Sequence, residues 1–321
     1  MLTMPSNVPL ITVGVTCYNA SDTIARAVAS AAGQDWSNLE IVVVDDGSTD
    51  NSLDVIEAMA RSDHRIRVIP HGSNRGCAAA RNTIVKEARG MFLAFFDDDD
   101  ASFPDRVRCQ YQRIVSYEFA SGVQLVACYA SGVRHYTNGY QMPMPAIGSR
   151  PEIPVGLVLV DYLLAFVRSN GTFFGAGTPT CSLMARLETF KTVGDFDVAM
   201  RRQEDADFAV HLGVLGGHFI GTPESLFVQY ASSGGDKSAR VEHESLTHLL
   251  RKNRNYLEER GLYRYMLGWA EVRYRHFNHE PVKALAALLR LGLRFPVRTS
   301  RHFAVSALRR YQHERKIHAN D

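Results

Sequence analysis

The sequence lacks the features that define several large classes of protein. The longest apolar run, residues 155–167, contains Asp161 and falls short of the roughly 20 residues that a membrane-spanning helix needs. Residues 1–5 show no basic region followed by an apolar core, so no secretory signal is predicted. The cysteines are odd in number and form no C-x-x-C pair, so we predict reduced packing residues in a cytosolic protein. They are Cys17, Cys77, Cys109, Cys128 and Cys181.

The composition is that of an ordinary globular chain with an uneven distribution of charge. Of the 321 residues, 45% are hydrophobic and 22% are charged, which suits one large domain or one domain with an appendage. The formal net charge is only +2, yet residues 251–321 hold 16 Lys and Arg against 6 Asp and Glu. Residues 1–250 and residues 251–321 are therefore expected to bind different partners.

Strand-like and helix-like patterns alternate over the first hundred residues. Four β-branched or aromatic runs are separated by stretches with helical spacing: residues 9–17, 39–44, 65–69 and 91–96. This alternation predicts an α/β fold with a parallel, doubly wound sheet. Ligands in such folds bind at the carboxyl ends of the strands, where Tyr18, Asp45 and Asp46 fall.

Four consecutive carboxylates, Asp97 to Asp100, follow the fourth apolar run. Such a cluster repels itself unless a cation is near, and Mg²⁺ or Mn²⁺ binds through carboxylates and substrate phosphates. If the strand continued, its alternation would place Asp97 and Asp99 on one face as a D-x-D pair. The alternative is a solvated acidic turn.

The other strand ends carry groups that suit a nucleoside diphosphate. Tyr18 could stack on the base, Asp46 could accept a hydrogen bond from it, and Arg81 is a natural cation for a phosphate. The alternatives are an Asx turn at residues 45–48 and a solvated helix arginine at Arg81.

Three motifs in this order resemble those of glycosyltransferase family 2, nucleotide-sugar enzymes of the GT-A fold. They are VVDDGSTD at residues 43–50, NRG and ARN at 74–76 and 80–82, and FDDDD at 96–100. The resemblance implies a Rossmann-like, doubly wound mixed sheet with a basic helical appendage. It implies a GT-A domain over residues 1–237, with a nucleotide-binding part at 9–130 and an acceptor part at 131–237. Residues 238–321 would form the amphipathic helical region.

The resemblance also assigns individual residues. It implies Asp99 and Asp97 as ligands of Mn²⁺ or Mg²⁺, and it places an acidic pair on Glu204 and Asp205. Because sugar transfer with inversion needs a base for the acceptor hydroxyl, we assign Asp205 to that role and Glu204 to orienting the acceptor. The alternative is that both acids merely favour a helix N-terminus. The expected nucleotide-binding residues are Thr16, Tyr18, Asn19, Asp45, Asp46, Arg81, Asp97 and Asp98.

Three later segments have weaker interpretations. Residues 138–154, rich in proline and glycine, are predicted to form a loop over the site, with an idle surface loop as the alternative. The Gly-Gly loop that contains Lys237 could close over a phosphate or serve as a linker. From about Ser238 the chain becomes helical and basic, and its apolar and basic faces suit an anionic membrane, through residues 281–316, or a cap packed on the catalytic domain. We favour a mixture of packing and membrane contact. One predicted apolar face comprises Val282, Leu285, Leu288, Leu289 and Gly292.

The resulting hypothesis is an inverting, metal-dependent hexosyltransferase. It would move a single sugar from a nucleotide donor, preferably UDP-linked, to a saccharide or lipid-linked acceptor in bacterial surface-polysaccharide assembly. We expect a cytoplasmic protein, peripheral on the inner face of the membrane, and no nucleic-acid partner, because the aromatic residues of the basic end recur at helical spacings typical of a core. The alternatives are a sugar nucleotidyltransferase and an inactive saccharide-binding scaffold. The resemblance implies that processive members of the family, which add many sugars in succession, carry a Q-x-x-R-W motif. No such motif follows Asp205, which favours the addition of a single sugar.

Overall fold

A computed structural model describes residues 8–231 and 238–302 of the chain. Lys237 and residues 303–316 of the expected membrane segment lie outside the described residues. The described part is a mixed α/β structure with a helical C-terminal region, which agrees with the expected fold class.

One mixed sheet of nine strands forms the centre of the described structure. Its strands are β1 Ile11–Cys17, β2 Leu39–Asp45, β3 Ile66–Pro70, β4 Phe92–Asp97, β5 Ala101–Ser102, β6 Val126–His135, β7 Gln141–Met144, β8 Leu183–Arg186 and β9 His218–Tyr230. Their order across the sheet is β3-β2-β1-β4-β8-β6-β9-β5, with β7 beside β6. The first four are parallel, and β8 is antiparallel to both β4 and β6.

Eleven α-helices and a further helical stretch at residues 296–302 lie in the described ranges. The eleven helices cover the sheet or follow it. They are α1 Ile24–Ala32, α2 Ser52–Ser62, α3 Cys77–Glu87, α4 Arg106–Ser121, α5 Leu157–Ala165, α6 Leu187–Val193, α7 Glu204–Val214, α8 Ala239–Lys252, α9 Arg254–Glu259, α10 Tyr263–Phe277 and α11 Pro281–Arg294. Buried side chains from the two faces of the sheet belong to two separate hydrophobic clusters. Both faces are therefore covered, which is what near-continuous apolar strands require.

The register of the parallel strands brings their polar ends together. Cys17 pairs with Asp45 across β1 and β2, and Thr16 pairs with Asp97 across β1 and β4. Since the chain leaves each strand at the same edge, the polar residues that follow β1, β2 and β4 meet there. This meeting place is the one that the sequence predicts.

Two expectations about loops and caps were wrong. Residues 141–144, expected to lie in an idle or lid-like loop, form β7 and pair with β6. Glycine is common at helix ends, so the sequence predicts that Gly90 closes the helix that begins near Asn74. That helix, α3, ends instead at Glu87 with Ala88 as its C-cap. Gly90 instead lies against β1, where an added Cβ would come within 2.5 Å of the Thr12 backbone nitrogen. The close approach of two backbones explains the glycine.

The C-terminal helices pack on the rest of the protein. A third hydrophobic cluster joins α5 and α7 to α8, α9, α10 and α11 through residues such as Val160, Val210, Leu250 and Trp269. Lys252 on α8 also donates to Asp207 on α7 at 2.7 Å. The interpretation as a packed cap therefore holds for the described helices.

Helix α11 has two apolar faces. Ala284 and Leu291 are buried, and Leu291 lies against Gly268 of α10. The second face is exposed and consists of Val282 (80% exposed), Leu285 (57%), Leu289 (59%) and Leu293 (87%). The predicted single face is thus divided, because Leu288 packs with the buried set. Within the described ranges, no helix has both the length and the apolar character needed to span a membrane.

Candidate active site

A cavity of about 530 Å³ opens where the strand ends meet. Its walls come from the ends of β1, β2 and β4, from the start of α3, from β6 and β9, and from the loop before α7. The lining residues are Thr16, Cys17, Tyr18, Asp46, Asn74, Gly76, Cys77, Ala80, Asp97, Asp98, Asp99, Arg134, Tyr136, Arg201, Arg202, Gln229, Tyr230 and Ala231.

The residues after β1 divide between the cavity and the neighbouring loop. Thr16 and Tyr18 line the cavity, and the Tyr18 side chain is 45% exposed. Asn19 points elsewhere, since its Oδ1 accepts from the Thr49 backbone nitrogen at 2.8 Å. Its φ of +49° lies in the left-handed region that asparagine tolerates. Asn19 therefore fixes the loop after β2 against the end of β1.

The two acids at the end of β2 make different contacts. Asp45 is buried and its Oδ2 accepts from the Ser48 backbone nitrogen, three residues on, at 3.1 Å, so Asp45 stabilises the turn at residues 45–48. Asp46 lines the cavity, where its carboxylate accepts from the Gly76 backbone nitrogen at 2.7 Å and from the backbone nitrogen of Arg75. Its Oδ1 also lies 2.7 Å from His71 Nδ1. A base contact at Asp46 stays a prediction.

The acidic run, Asp97 to Asp100, begins with the last residue of β4 and continues into a turn. β4 ends at Asp97 and residues 98–99 form a turn, so strand alternation does not relate Asp97 to Asp99. Asp98 Oδ2 accepts from the Tyr18 backbone nitrogen at 3.0 Å, and the Asp99 carbonyl accepts from Arg26 at 2.6 Å. Asp97, Asp98 and Asp99 all line the cavity. Their nucleotide and metal contacts remain predictions.

Burial raises the pKa of three acids of this run, Asp97, Asp98 and Asp100. It raises the pKa of Asp98 to about 7, with the neighbouring carboxylates of Asp97 and Asp99 adding to the effect. Burial and the same two neighbours raise the pKa of Asp100 to about 8. The pKa of Asp97 is raised for the same first reason, although the Arg81 guanidinium opposes the shift. Without a cation, the cluster disfavours full ionisation.

These residues fit a divalent cation. Ligand atoms of Asp97, Asp100 and Cys181 lie within 4.8 Å of one another. Asp100 is 5% exposed, and its Oδ2 has no hydrogen-bond partner in the part of the chain that the structure describes. The carboxylate oxygens of Asp97 and Asp100 are donors that Mg²⁺ and Mn²⁺ prefer, whereas the Cys181 sulfur is not.

Arg81 joins two acidic groups that are far apart in the sequence. Its Nη1 donates to Glu204 Oε1 at 2.7 Å, and its Nη2 lies 3.8 Å from Asp97 Oδ1. Arg81 is 5% exposed and is not among the residues that line the cavity. Its expected contact with a phosphate stays a prediction, and the structure gives it two carboxylate partners.

Asp205 lies in the first turn of α7, beside Glu204. Burial raises the pKa of Asp205 to about 6, and the adjacent Glu204 carboxylate adds to this rise. The preceding Gln203 has a φ of +67°, and its side chain donates to Glu242 on α8 at 2.8 Å. The C-terminal helices thus hold the turn that carries Asp205.

The sequence did not reveal several cavity residues. Arg134 and Tyr136 come from β6 and the residue after it, Gln229 and Tyr230 come from β9, and Arg201 precedes α7. Alternation along β6 does place Arg134 and Tyr136 on one face, but it does not say which face meets the cavity. Cys77 is a further correction, because it is exposed and lines the cavity instead of packing in the core.

A model of glycosyl transferase family 2 matches residues 12–177 of the chain. The chain belongs to glycosyltransferase family 2. The matched stretch contains the ends of β1, β2 and β4, and hence the three motifs that carry the resemblance.

Curated relatives cover part of the chain. The succinoglycan biosynthesis protein ExoO of Rhizobium meliloti is 31% identical over 242 residues, which are 74% of this chain and 65% of ExoO. The UDP-Glc:alpha-D-GlcNAc-diphosphoundecaprenol beta-1,3-glucosyltransferase WfaP of Escherichia coli is 41% identical over 91 residues, 28% of this chain and 36% of WfaP. The chain spans less than two thirds of the length of either relative.

Among solved structures, residues 1–349 of S. aureus TarS in complex with UDP-GlcNAc match with a TM-score of 0.59. The identity is 20%, over 88% of this chain and 80% of that chain. This likeness shows the fold. The expected GT-A fold with a helical C-terminal part is confirmed.

Proposed function

We propose that this family 2 protein transfers one sugar from a nucleotide-sugar donor, preferably a UDP-sugar, to a saccharide or lipid-linked saccharide, with inversion at the anomeric carbon. One observation carries the proposal. Arg81 pairs with both Asp97 and Glu204, so the acids after β4 and the acids that open α7 flank one guanidinium. A donor site and a base for the acceptor are thereby neighbours.

The donor would occupy the cavity, and the acceptor would approach from the start of α7. In the reaction, the acceptor hydroxyl oxygen forms a bond to the anomeric carbon as the bond to the diphosphate oxygen breaks. Asp205 takes the hydroxyl proton, and the leaving diphosphate keeps the electron pair. A pKa of about 6 suits this task, since a base works best when its pKa lies near the working pH.

The acids after β4 would hold Mn²⁺ or Mg²⁺, with Asp99 and Asp97 as ligands. Such a cation, when bound, offsets the negative charge that develops on the departing diphosphate. Asp98 would stay hydrogen-bonded to the Tyr18 backbone and keep Tyr18 beside the nucleoside.

The acceptor class rests on the relatives. ExoO acts in succinoglycan biosynthesis, and the name of WfaP gives a diphosphoundecaprenol-linked sugar as its acceptor. We extend this chemistry to the present chain as bacterial surface-polysaccharide assembly on a lipid-linked saccharide. Single addition is part of the same proposal.

Contact with an anionic membrane through residues 281–316, on the cytoplasmic face, completes the proposal. The exposed apolar face of α11 is bordered by Lys283, Arg290 and Arg294, all exposed. Apolar side chains beside a basic row suit an interface with anionic lipid, where each Lys or Arg contributes about 1 kcal/mol.

The donor site is tested by titrating the native protein with UDP, GDP, dTDP and CDP in a calorimeter, with and without Mn²⁺. We expect tight binding of UDP only when Mn²⁺ is present. Absence of binding by all four nucleotides in both conditions would contradict the proposed function.

The membrane contact is tested by sedimentation with vesicles that do or do not contain phosphatidylglycerol. The variant Leu289→Asp/Leu293→Asp should sediment much less with anionic vesicles than the native protein. Phe119→Asp is the matched control, because Phe119 is 89% exposed on α4, outside residues 281–316. Equal sedimentation of all three proteins would refute the contact.

A further inference from the structure

The diphosphate of the proposed donor is negatively charged, and arginine forks match phosphate oxygens. Arg81 is already committed to Glu204 and Asp97. The guanidinium groups that do line the cavity belong to Arg134, Arg201 and Arg202.

Arg134 is held by an amide. Gln229 Oε1 accepts from Arg134 Nε at 2.7 Å and also from Nη2. Within the described ranges, no carboxylate lies in ion-pair distance of Arg134, whereas Arg202 lies 3.7 Å from Glu242. An amide orients a guanidinium but carries no negative charge to offset it. Among the described residues, no carboxylate therefore offsets the positive charge of Arg134 at the cavity wall.

Gln229 itself is fixed in a position next to the acids after β4. Its Nε2 donates to Cys181 Sγ at 3.7 Å, so its oxygen faces Arg134. The Cys181 sulfur lies within 4.8 Å of ligand atoms of Asp97 and Asp100. The neighbouring Tyr230 backbone nitrogen donates to Asp100 at 3.3 Å. Arg134 is thus placed beside the region where a metal-bound phosphate would lie.

Two of the five N–H bonds of Arg134 are used by Gln229, which leaves three, including the fork between Nη1 and Nη2. We propose that this fork binds the diphosphate of the donor and that Gln229 is its positioning residue. Arg201 also has an amide partner, but it donates to Asn74 through Nη1 at 2.9 Å, so part of its own Nη1 and Nη2 fork is already used. The inference rests on the proposed function, since it names a phosphate subsite of the same cavity.

The test compares UDP with uridine as calorimetric ligands, in the presence of Mn²⁺. In Arg134→Gln, the affinity for UDP should fall about 10-fold to 100-fold, the range expected for a lost charge-assisted hydrogen bond pair, while uridine affinity stays unchanged. Arg108→Gln is the control, because Arg108 is paired with Asp35 outside the cavity. Thermal unfolding of each variant shows whether it has folded.

Gln229→Glu makes a second, sharper variant. A glutamate can still hold Arg134 but neutralises it, so UDP affinity should again fall and uridine affinity should not. A merely structural role for Gln229 predicts native UDP binding in this variant. Native UDP affinity in both folded variants would overturn the inference, as would equal losses for UDP and uridine. If the native protein binds no nucleotide at all, the proposed function fails instead.

Discussion

The two acidic groups of the site differ in how their charge is stabilised. The acids at the end of β4, Asp97 to Asp100, are four in succession, and burial raises the pKa values of three of them. The acids that open α7 are two, and Glu204 has a direct 2.7 Å bond from a buried arginine. The first group therefore gains most from an external cation, and the second is largely balanced by the protein itself.

The two groups are therefore suited to different roles. Four adjacent carboxylates that share Arg81 with Glu204 are suited to bind a metal ion and a charged donor. In the second group Glu204 is paired with Arg81. The other carboxylate, Asp205, has a pKa of about 6 and can exchange a proton near neutral pH. Arg81 connects the two groups and lies closer to Glu204, at 2.7 Å, than to Asp97, at 3.8 Å.

The largest expected effect is on the chemical step. Asp205→Asn removes the base, so turnover should fall about 10²-fold to 10⁴-fold, the usual contribution of a general base. Initial rates of sugar transfer, or of donor hydrolysis without acceptor, measure the loss. Asp195→Asn, an exposed acid outside the cavity, is the control and should keep native rates. An unchanged rate in Asp205→Asn would remove Asp205 from the mechanism.

A second change breaks the link between the groups. Arg81→Met leaves Glu204 and Asp97 without their shared cation, and removing one partner of a buried ion pair typically costs about 3–5 kcal/mol. Because the Glu204 side chain is 13% exposed and the Asp97 side chain 30%, water offsets part of this cost, and we expect a loss near the lower end of the range. Urea denaturation measures it. Arg61→Met, which breaks an exposed pair with Glu57, should change little. Equal stabilities for the two variants would show that the link is unimportant.

A smaller effect is expected on the pH dependence of the rate. Asp205 acts in its ionised form, and burial raises its pKa to about 6. The rate should therefore fall about tenfold per unit as the pH drops below 6 and level off above it. Measurement of kcat/KM between pH 4.5 and 8 in the native protein tests this, with the residual activity of Asp205→Asn as the reference. A profile with its midpoint near 4 would contradict the assignment.

The sequence was most informative where local pattern and fold coincide. Runs of buried residues located β1, β2 and β4, and parallel pairing then required their polar ends to meet, which brought Tyr18, Asp46 and Asp97 together. The family motifs add to this reasoning, because they fall on the same strand ends.

Long-range packing limited the rest. Arg134 and Gln229 are neighbours only because β6 and β9 pair in parallel, and nothing local signals that pairing. Gly90 looks like a helix cap, yet it serves the approach of two backbones. The partners of Arg81 come from α7 and β4, so a helix arginine in the sequence could not be assigned to carboxylates or to a phosphate.

The most direct test of this division of labour is the Mn²⁺-dependent affinity for UDP in Asp99→Asn and Asp205→Asn, measured side by side by calorimetry. We expect Asp99→Asn to lose the affinity gained from Mn²⁺ and Asp205→Asn to retain it. Loss of this affinity in both variants, or its retention in both, would contradict separate roles for the two acidic groups.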